Sequence, residues 1–213
     1  MLELMLNQGK VAGGPVPGNP SLIAGDNQLG WYGEVTSTDL ITGPDLATML
    51  GLAGGVSQNP TGAWLKFAYQ GKTLLIAKQT YRHSITLDAI ANAQALLGNR
   101  TITIKGNTYR IRLMTGTDGA GELAPGGEWD ALIYRVGAGT QIPAGDKWAN
   151  YTNVEMSYGS GGNGYITWCK EHRATAGTVY CTRGNGGITV IYGYTNVQGS
   201  APFGWRPVLE LVP

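Results

Sequence analysis

An α+β fold, with helices packed on small antiparallel sheets, is what this 213-residue sequence predicts. Three observations carry that expectation. Helical periodicity alternates with paired apolar runs through the first two-thirds of the chain, and the last third holds only short alternating runs between glycine turns. Glycine is also abundant: 34 residues, roughly twice the usual share of about 7%. Charged residues make up 14% of the chain against about a quarter in a typical domain, and 42% are hydrophobic, enough for a sizeable core. No internal repeat is visible.

The elements follow in order. MLELML, residues 1–6, is an apolar start that needs a partner to cover it, so it is expected to dock on another subunit or a larger body. Residues 8–20, QGKVAGGPVPGNP, hold three prolines and four glycines and read as a linker or wrapping arm. Compact structure begins with GWYGEV at 30–35. In TGPDLATMLGL, Thr42 or Gly43 caps a short helix, with Pro44 at its first position and Asp45 in its first turn. WLKFAYQGKTLLIAK and TITIKGNTYRIRL are pairs of apolar runs around Gln70-Gly71 and Gly106-Asn107, which predicts two tight hairpins. Between them, Leu87, Ile90, Ala93 and Leu97 form a helical stripe, with Thr86 as cap, Gly98 as stop and Gln94 the one polar interruption.

In GGEWDALIYRV the residues Trp129, Leu132, Ile133 and Val136 recur at i, i+3, i+4 and i+7, which predicts a third helix. Thereafter NVEMSY, YITWCKEH, TVYCTRG, ITVIYGYT and GWRPVLELV read as short strands. In the last of these, Leu209 and Leu211 face one side and Val208, Glu210 and Val212 the other, so part of the strand is expected to be buried on both faces.

Fifteen basic and fourteen acidic residues leave a net charge of +1, and no Lys/Arg cluster could track a phosphate backbone, which argues against a nucleic-acid partner. No apolar run reaches the length of a bilayer span, and the start lacks the features of a signal peptide, so a soluble protein made in the cytoplasm is expected. The two cysteines, Cys169 and Cys181, form no disulfide framework. If their strands pair around RATAG in a register centred on Thr175, they face each other, either as a reduced apolar pair or as a disulfide formed later outside the cell.

Residues for catalysis are sparse. His83 and His172, the only histidines, sit in no metal-ligand spacing and read as surface or half-buried strand ends. Asp118, Glu122, Glu128 and Asp130 gather on a glycine-rich stretch, but without the alternating pattern of a calcium loop they read as a solvated loop, and no metal or cofactor is expected. A glycosidase would need two of these carboxylates at a set separation. Gly71-Lys72-Thr73 echoes the end of a phosphate-binding loop, yet Lys66 stands at the position of its first glycine. No enzyme activity is expected.

The last third does carry aromatic and amide side chains on short strands and glycine turns. Tyr and Trp give large contact area at low entropic cost, and flanking Gly and Ser let loops adapt. Tyr158, Asn163, Tyr165, Trp168, Tyr192 and Tyr194 are therefore the candidate ligand-binding residues, with Tyr158 and Asn163 expected at the surface.

The stretches IAGDNQLGWYGEV, LITGPDLATMLGL, PTGAWLKFAYQGKTLLIAK, GGEWDALIYRV, YITWCKEH and FGWRPVLELV resemble virion-associated proteins of tailed bacteriophages, over residues 23–213. Such proteins are tail-fibre, head-fibre or whisker-like structural components. From about residue 100 the chain is similar to the C-type-lectin-like folds at phage fibre tips, matching at Glu128–Val136, Ile166–Lys170 and Gly204–Leu211. The sugar-binding triplets E-P-N and W-N-D of calcium-dependent lectins do not occur. The resemblance implies a docking arm or linker at 1–20, a small α/β body or oligomerisation domain at 21–98 and a C-type-lectin-like domain at 99–213. It implies a homotrimer assembled in the host cytoplasm onto a virion, in contact with other virion proteins and adhering to a host surface glycan or protein. A non-adhesive capsid decoration or collar/whisker protein is the alternative.

Overall fold

The computed structural model describes residues 15–117, 125–138, 147–173 and 176–213. Residues 1–14, and with them the expected MLELML docking segment, lie outside the described residues. The described part of the arm lies along the body: Lys66 Nζ donates to the Asn19 carbonyl at 2.9 Å, and Gly18 sits so close to Val35 that a Cβ there would meet Val35 Cγ2 at 2.4 Å.

β1 (Ala24–Gly25) and β2 (Leu29–Val35) lead into α1 (Gly43–Leu50). Thr42 is the cap: its hydroxyl accepts from the Asp45 N–H at 3.2 Å and donates to Asp45 Oδ2 at 2.6 Å, and Gly51, at φ 66°, ends the helix. β3 (Val56–Ser57) precedes the hairpin of β4 (Trp64–Tyr69) and β5 (Lys72–Ala77), closed by Gln70 at φ 52° and Gly71 at φ 73°. Two consecutive left-handed residues match the right-handed twist of the strands. β6 (Arg82–His83) and α2 (Leu87–Asn92) follow, and then β7 (Leu97–Ile104) and β8 (Asn107–Arg112) turn at Lys105 and Gly106, one residue earlier than the sequence suggests.

GGEWDALIYRV forms a π-helical turn, Trp129–Ile133, running into α3 (Tyr134–Val136). All four residues of the expected stripe, Trp129, Leu132, Ile133 and Val136, are buried. Five strands complete the fold: β9 (Ile166–Arg173), β10 (Ala176–Gly184), β11 (Gly187–Thr195), β12 (Phe203–Trp205) and β13 (Val208–Leu211).

One sheet has seven strands in the order β1-β2-β4-β5-β13-β8-β7 and the other six in the order β11-β10-β9-β12-β6-β3. Among the described residues all pairings between these strands are antiparallel except β12 with β9. The fold is thus mixed α+β, with few short helices. The segments 21–98 and 99–213 share both sheets: β13 lies between β5 and β8, β12 joins β6 to β9, and the 98/99 boundary falls inside β7. No helix among the described residues is long and apolar enough to cross a membrane.

Two cores lie on opposite faces of the seven-stranded sheet. One holds Leu46, Trp64, Ile90, Trp168, Trp205 and Leu209, and the other Phe67, Leu74, Ile76, Trp129, Ile133 and Val208. Alternation along β13 therefore sends Leu209 and Val208 into different cores, so that the strand is buried on both faces as expected. Arg206, between β12 and β13, is fully buried. Its guanidinium donates to the carbonyls of Ala77, Lys78 and Met156 and to Thr167 Oγ1, and lies 4.8 Å from the Tyr158 ring centroid and 5.9 Å from that of Trp129.

Two expectations are corrected. The second helix ends at Asn92, because Gln94 turns left-handed at φ 57°; Leu97 opens β7 and is 57% exposed, and Gly98 sits where the β7–β8 register shifts instead of stopping a helix. NVEMSY forms turns and no strand, with Met156 and Tyr158 packed inward on the second core.

Candidate functional site

The face of the seven-stranded sheet that buries Leu74, Ile76 and Val208 turns polar towards one end. Register sets Glu210 opposite Leu74 on one side and Arg110 on the other, with Val208 opposite Arg112, and Lys72 lies two residues before Leu74 on the same face. Above these groups opens a cleft of about 740 Å³, also lined by Tyr69, Thr115, Thr117, Glu128, Lys170 and Glu171.

Arg112 organises its floor. Its Nη1 and Nη2 donate to the two Glu128 oxygens at 2.7 and 2.6 Å, and its Nε to Glu210 Oε2 at 3.0 Å. Glu128 Oε2 also accepts from the Thr115 N–H at 3.0 Å. Arg112 and Glu128 are buried. Such a fork-to-fork pair is rigid and directional. At the rim, Glu210 Oε1 is 3.0 Å from Lys72 Nζ and 3.5 Å from Arg110 Nη1; both basic side chains are about half exposed, at 52% and 50%. Burial raises the Glu210 pKa, but Lys72 and Arg112 outweigh it, and the carboxyl is held below its usual range. Burial raises the Tyr69 pKa, so its phenol stays a donor.

Glu128 and Glu210 are thus both hydrogen-bonded to Arg112. Neither His83 nor His172 lines the cleft. What the arrangement does chemically is present ammonium, guanidinium, hydroxyl and carboxylate groups around a concave space, which suits hydrogen bonding to a polyhydroxylated ligand.

Glu171, in the wall, accepts from the Gly116 N–H at 2.9 Å, yet burial keeps its pKa above the ordinary carboxylate value. A raised folded-state pKa means stability that is full below the unfolded pKa and is lost as pH rises through the folded one. Glutamine imitates the protonated form at every pH. Glu171→Gln is therefore expected to raise Tm in neutral buffer and to leave it nearly unchanged in acidic buffer. Paired thermal melts test this, and an equal shift in both buffers would contradict it.

The six aromatic and amide candidates do not form one site. Trp168 is fully buried, donates from Nε1 to the Ile85 carbonyl at 2.9 Å and stacks on Phe203, with ring centroids 4.9 Å apart. Tyr158, expected at the surface, is 7% exposed in the second core, its ring 5.1 Å from Trp129 and its pKa pushed up to about 12 by burial. The reason is that the turns of NVEMSY fold onto the seven-stranded sheet. Tyr165 and Tyr194 are half-buried against the first core, Tyr194 edge-on to Phe203 at 4.9 Å. Tyr192 is 49% exposed and 6.3 Å from Tyr194. Asn163 is exposed on its glycine loop, with Nδ2 3.5 Å from Nε2 of the half-buried His83.

Of the acidic stretch, Asp118 and Glu122 lie outside the described residues; Glu128 is buried rather than solvated, and Asp130 pairs with the buried Arg183. No group of three or more metal-ligating side chains occurs among the described residues. Cys169 and Cys181 are free and buried; the register centred on Thr175 holds at Trp168–Thr182 and Thr167–Arg183 but shifts towards the turn, where Tyr180 pairs with His172. Burial and the adjacent Cys181 thiol raise the Cys169 pKa well above its ordinary value. Gly116 makes room for both: a Cβ there would lie 2.5 Å from Cys169 Sγ and 2.8 Å from Cys181 Sγ.

The residues that sequence reasoning missed are those of the cleft, Lys72, Arg110, Arg112, Lys170, Glu171 and Glu210. A signal for some of them exists: TYRIRL and VLEL place charges at alternate positions of otherwise apolar strands, on one face. No protein-family model, no curated protein and no solved structure matches this chain.

Proposed function

We propose that the chain is a non-enzymatic, fibre-type virion protein of a tailed bacteriophage, whose C-type-lectin-like part holds a host surface glycan in the polar cleft. The observation that carries the adhesive reading is the cleft itself: a rigid Arg112–Glu128–Glu210 floor beneath half-exposed Lys72 and Arg110. The virion assignment rests on the resemblance over residues 23–213. The lectin-like reading is supported by the Trp129 helix packed on the seven-stranded sheet and by FGWRPVLEL, which adds one strand to each sheet. Displayed in several copies on a particle, weak sites of this kind gain avidity through effective concentration.

The test is saturable binding of the purified, labelled protein to an array of bacterial surface polysaccharides and to intact bacteria. Arg110→Ala with Lys170→Ala is expected to weaken binding by about tenfold or more, since charge-assisted hydrogen bonds are lost, with little change in Tm. Absence of binding to both surfaces overturns the adhesive reading and leaves a decoration or collar protein.

A further inference from the structure

The charges of the cleft are sorted by depth. Its carboxylates Glu128 and Glu210 lie low: both are buried, and each is hydrogen-bonded to Arg112. The other basic groups stand higher. Lys72, at the start of β5, and Arg110, in β8, are half exposed at the rim, and Lys170, in β9, is half-buried in the wall. The Lys72 ammonium and one end of the Arg110 guanidinium reach the same oxygen, Glu210 Oε1, while Glu210 Oε2 accepts from Arg112.

These charges do not balance. Lys72, Arg110 and Arg112 share two carboxylates, those of Glu128 and Glu210, which leaves one positive charge in excess. Arg112 is turned to the floor, so the excess falls on the two exposed rim groups. Lys170 adds a further positive charge, opposed by Glu171 beside it, and burial favours the neutral form of that carboxyl. A cleft lined by one sign of charge concentrates ions of the other sign.

We propose that the glycan held in this cleft is acidic, and that an anionic group on it, a sugar carboxylate or a phosphate, bridges Lys72 and Arg110 from the solvent side. This rests on the glycan reading and narrows it. Both cations already meet at one oxygen, so one further anion can touch both while their ion pairs with Glu210 stay in place. Each has donors to spare for it: an ammonium carries three N–H groups and a guanidinium five. The guanidinium edge matches the two oxygens of a carboxylate or phosphate. A neutral sugar seated on the rim would instead strip water from two cations without offering them a charge in return.

Titration calorimetry of the full chain tests this with polygalacturonate and polysialic acid, the carboxyl-reduced form of each, poly(glycerol phosphate), and dextran as a neutral glucan. An acidic polymer is expected to bind about tenfold or more tighter than the neutral ones, with an advantage that shrinks between about 50 mM and about 500 mM sodium chloride. Binding by the carboxylate polymers alone, or by poly(glycerol phosphate) alone, supports the proposal and names the source of the charge. Lys72→Ala with Arg110→Ala should bring the affinity for the acid down to that for its reduced form. Equal binding of an acid and its reduced form overturns the proposal and leaves the glycan reading standing. Binding of none of the six polymers overturns it too, and the wider polysaccharide array then decides the glycan reading by itself. The comparison of each acid with its reduced form uses the unaltered protein, so it decides even where the double variant fails to fold.

Discussion

Arg206→Lys is expected to destabilise the fold by about 2–5 kcal/mol although the charge is kept, because buried acceptors left unpaired cost roughly 1–3 kcal/mol each. The guanidinium reaches the carbonyls of Ala77, Lys78 and Met156 and the Thr167 hydroxyl from one planar group. These acceptors belong to both sheets and to the turns over the second core, so Arg206 joins parts of the molecule that have no strand pairing in common. A lysine ammonium is a point donor and cannot span them. It also loses the guanidinium's contact with the Tyr158 and Trp129 rings. Chemical denaturation measures the loss, and a value below about 1 kcal/mol would show that the acceptors find other partners.

The second large effect is at the cleft floor. Glu128→Ala is expected to cost about 3–5 kcal/mol, since it leaves Arg112 buried with half of its compensation. The two side chains are only 6% and 7% exposed, so water does not readily replace the lost carboxylate. In Glu128→Ala/Arg112→Met the unpaired charge is gone as well, and the loss should be clearly smaller than the sum of the two single losses. Additive losses would mean that the pair contributes through packing and not through charge.

Much of the fold was legible where its causes are local. α1 was readable from Thr42, Pro44 and Asp45 because capping acts within one turn, and the β4–β5 turn because Gln70-Gly71 lie between two apolar runs. The burial of β13 on both faces followed from alternation alone. α2 was drawn too long because Leu97 fits the helical stripe, whereas pairing with β8 claims it for a strand, a choice made by residues outside the window. Tyr158 was misplaced for a related reason. Glycine and serine around it mark a loop, and nothing nearby in sequence shows that the loop folds onto a sheet. The cleft depended on distance most of all: Lys72, Arg112 and Glu210 meet through the register of β5, β13 and β8, and Glu128 joins them from the start of the Trp129 helix.

The position of β13 between β5 and β8 also bears on how the molecule is made. Its hydrogen bonds join residues near 75 and near 111 to residues near 209, so the loops closed in forming them are long and their entropy is lost before the contacts form. On the ribosome the β4–β5 and β7–β8 hairpins can form as they emerge. The seven-stranded sheet, however, stays in two halves with unpaired inner edges until residues 208–211 arrive. The chain should therefore fold late and slowly for its size, and it passes through a stage in which those inner edges are open to other chains.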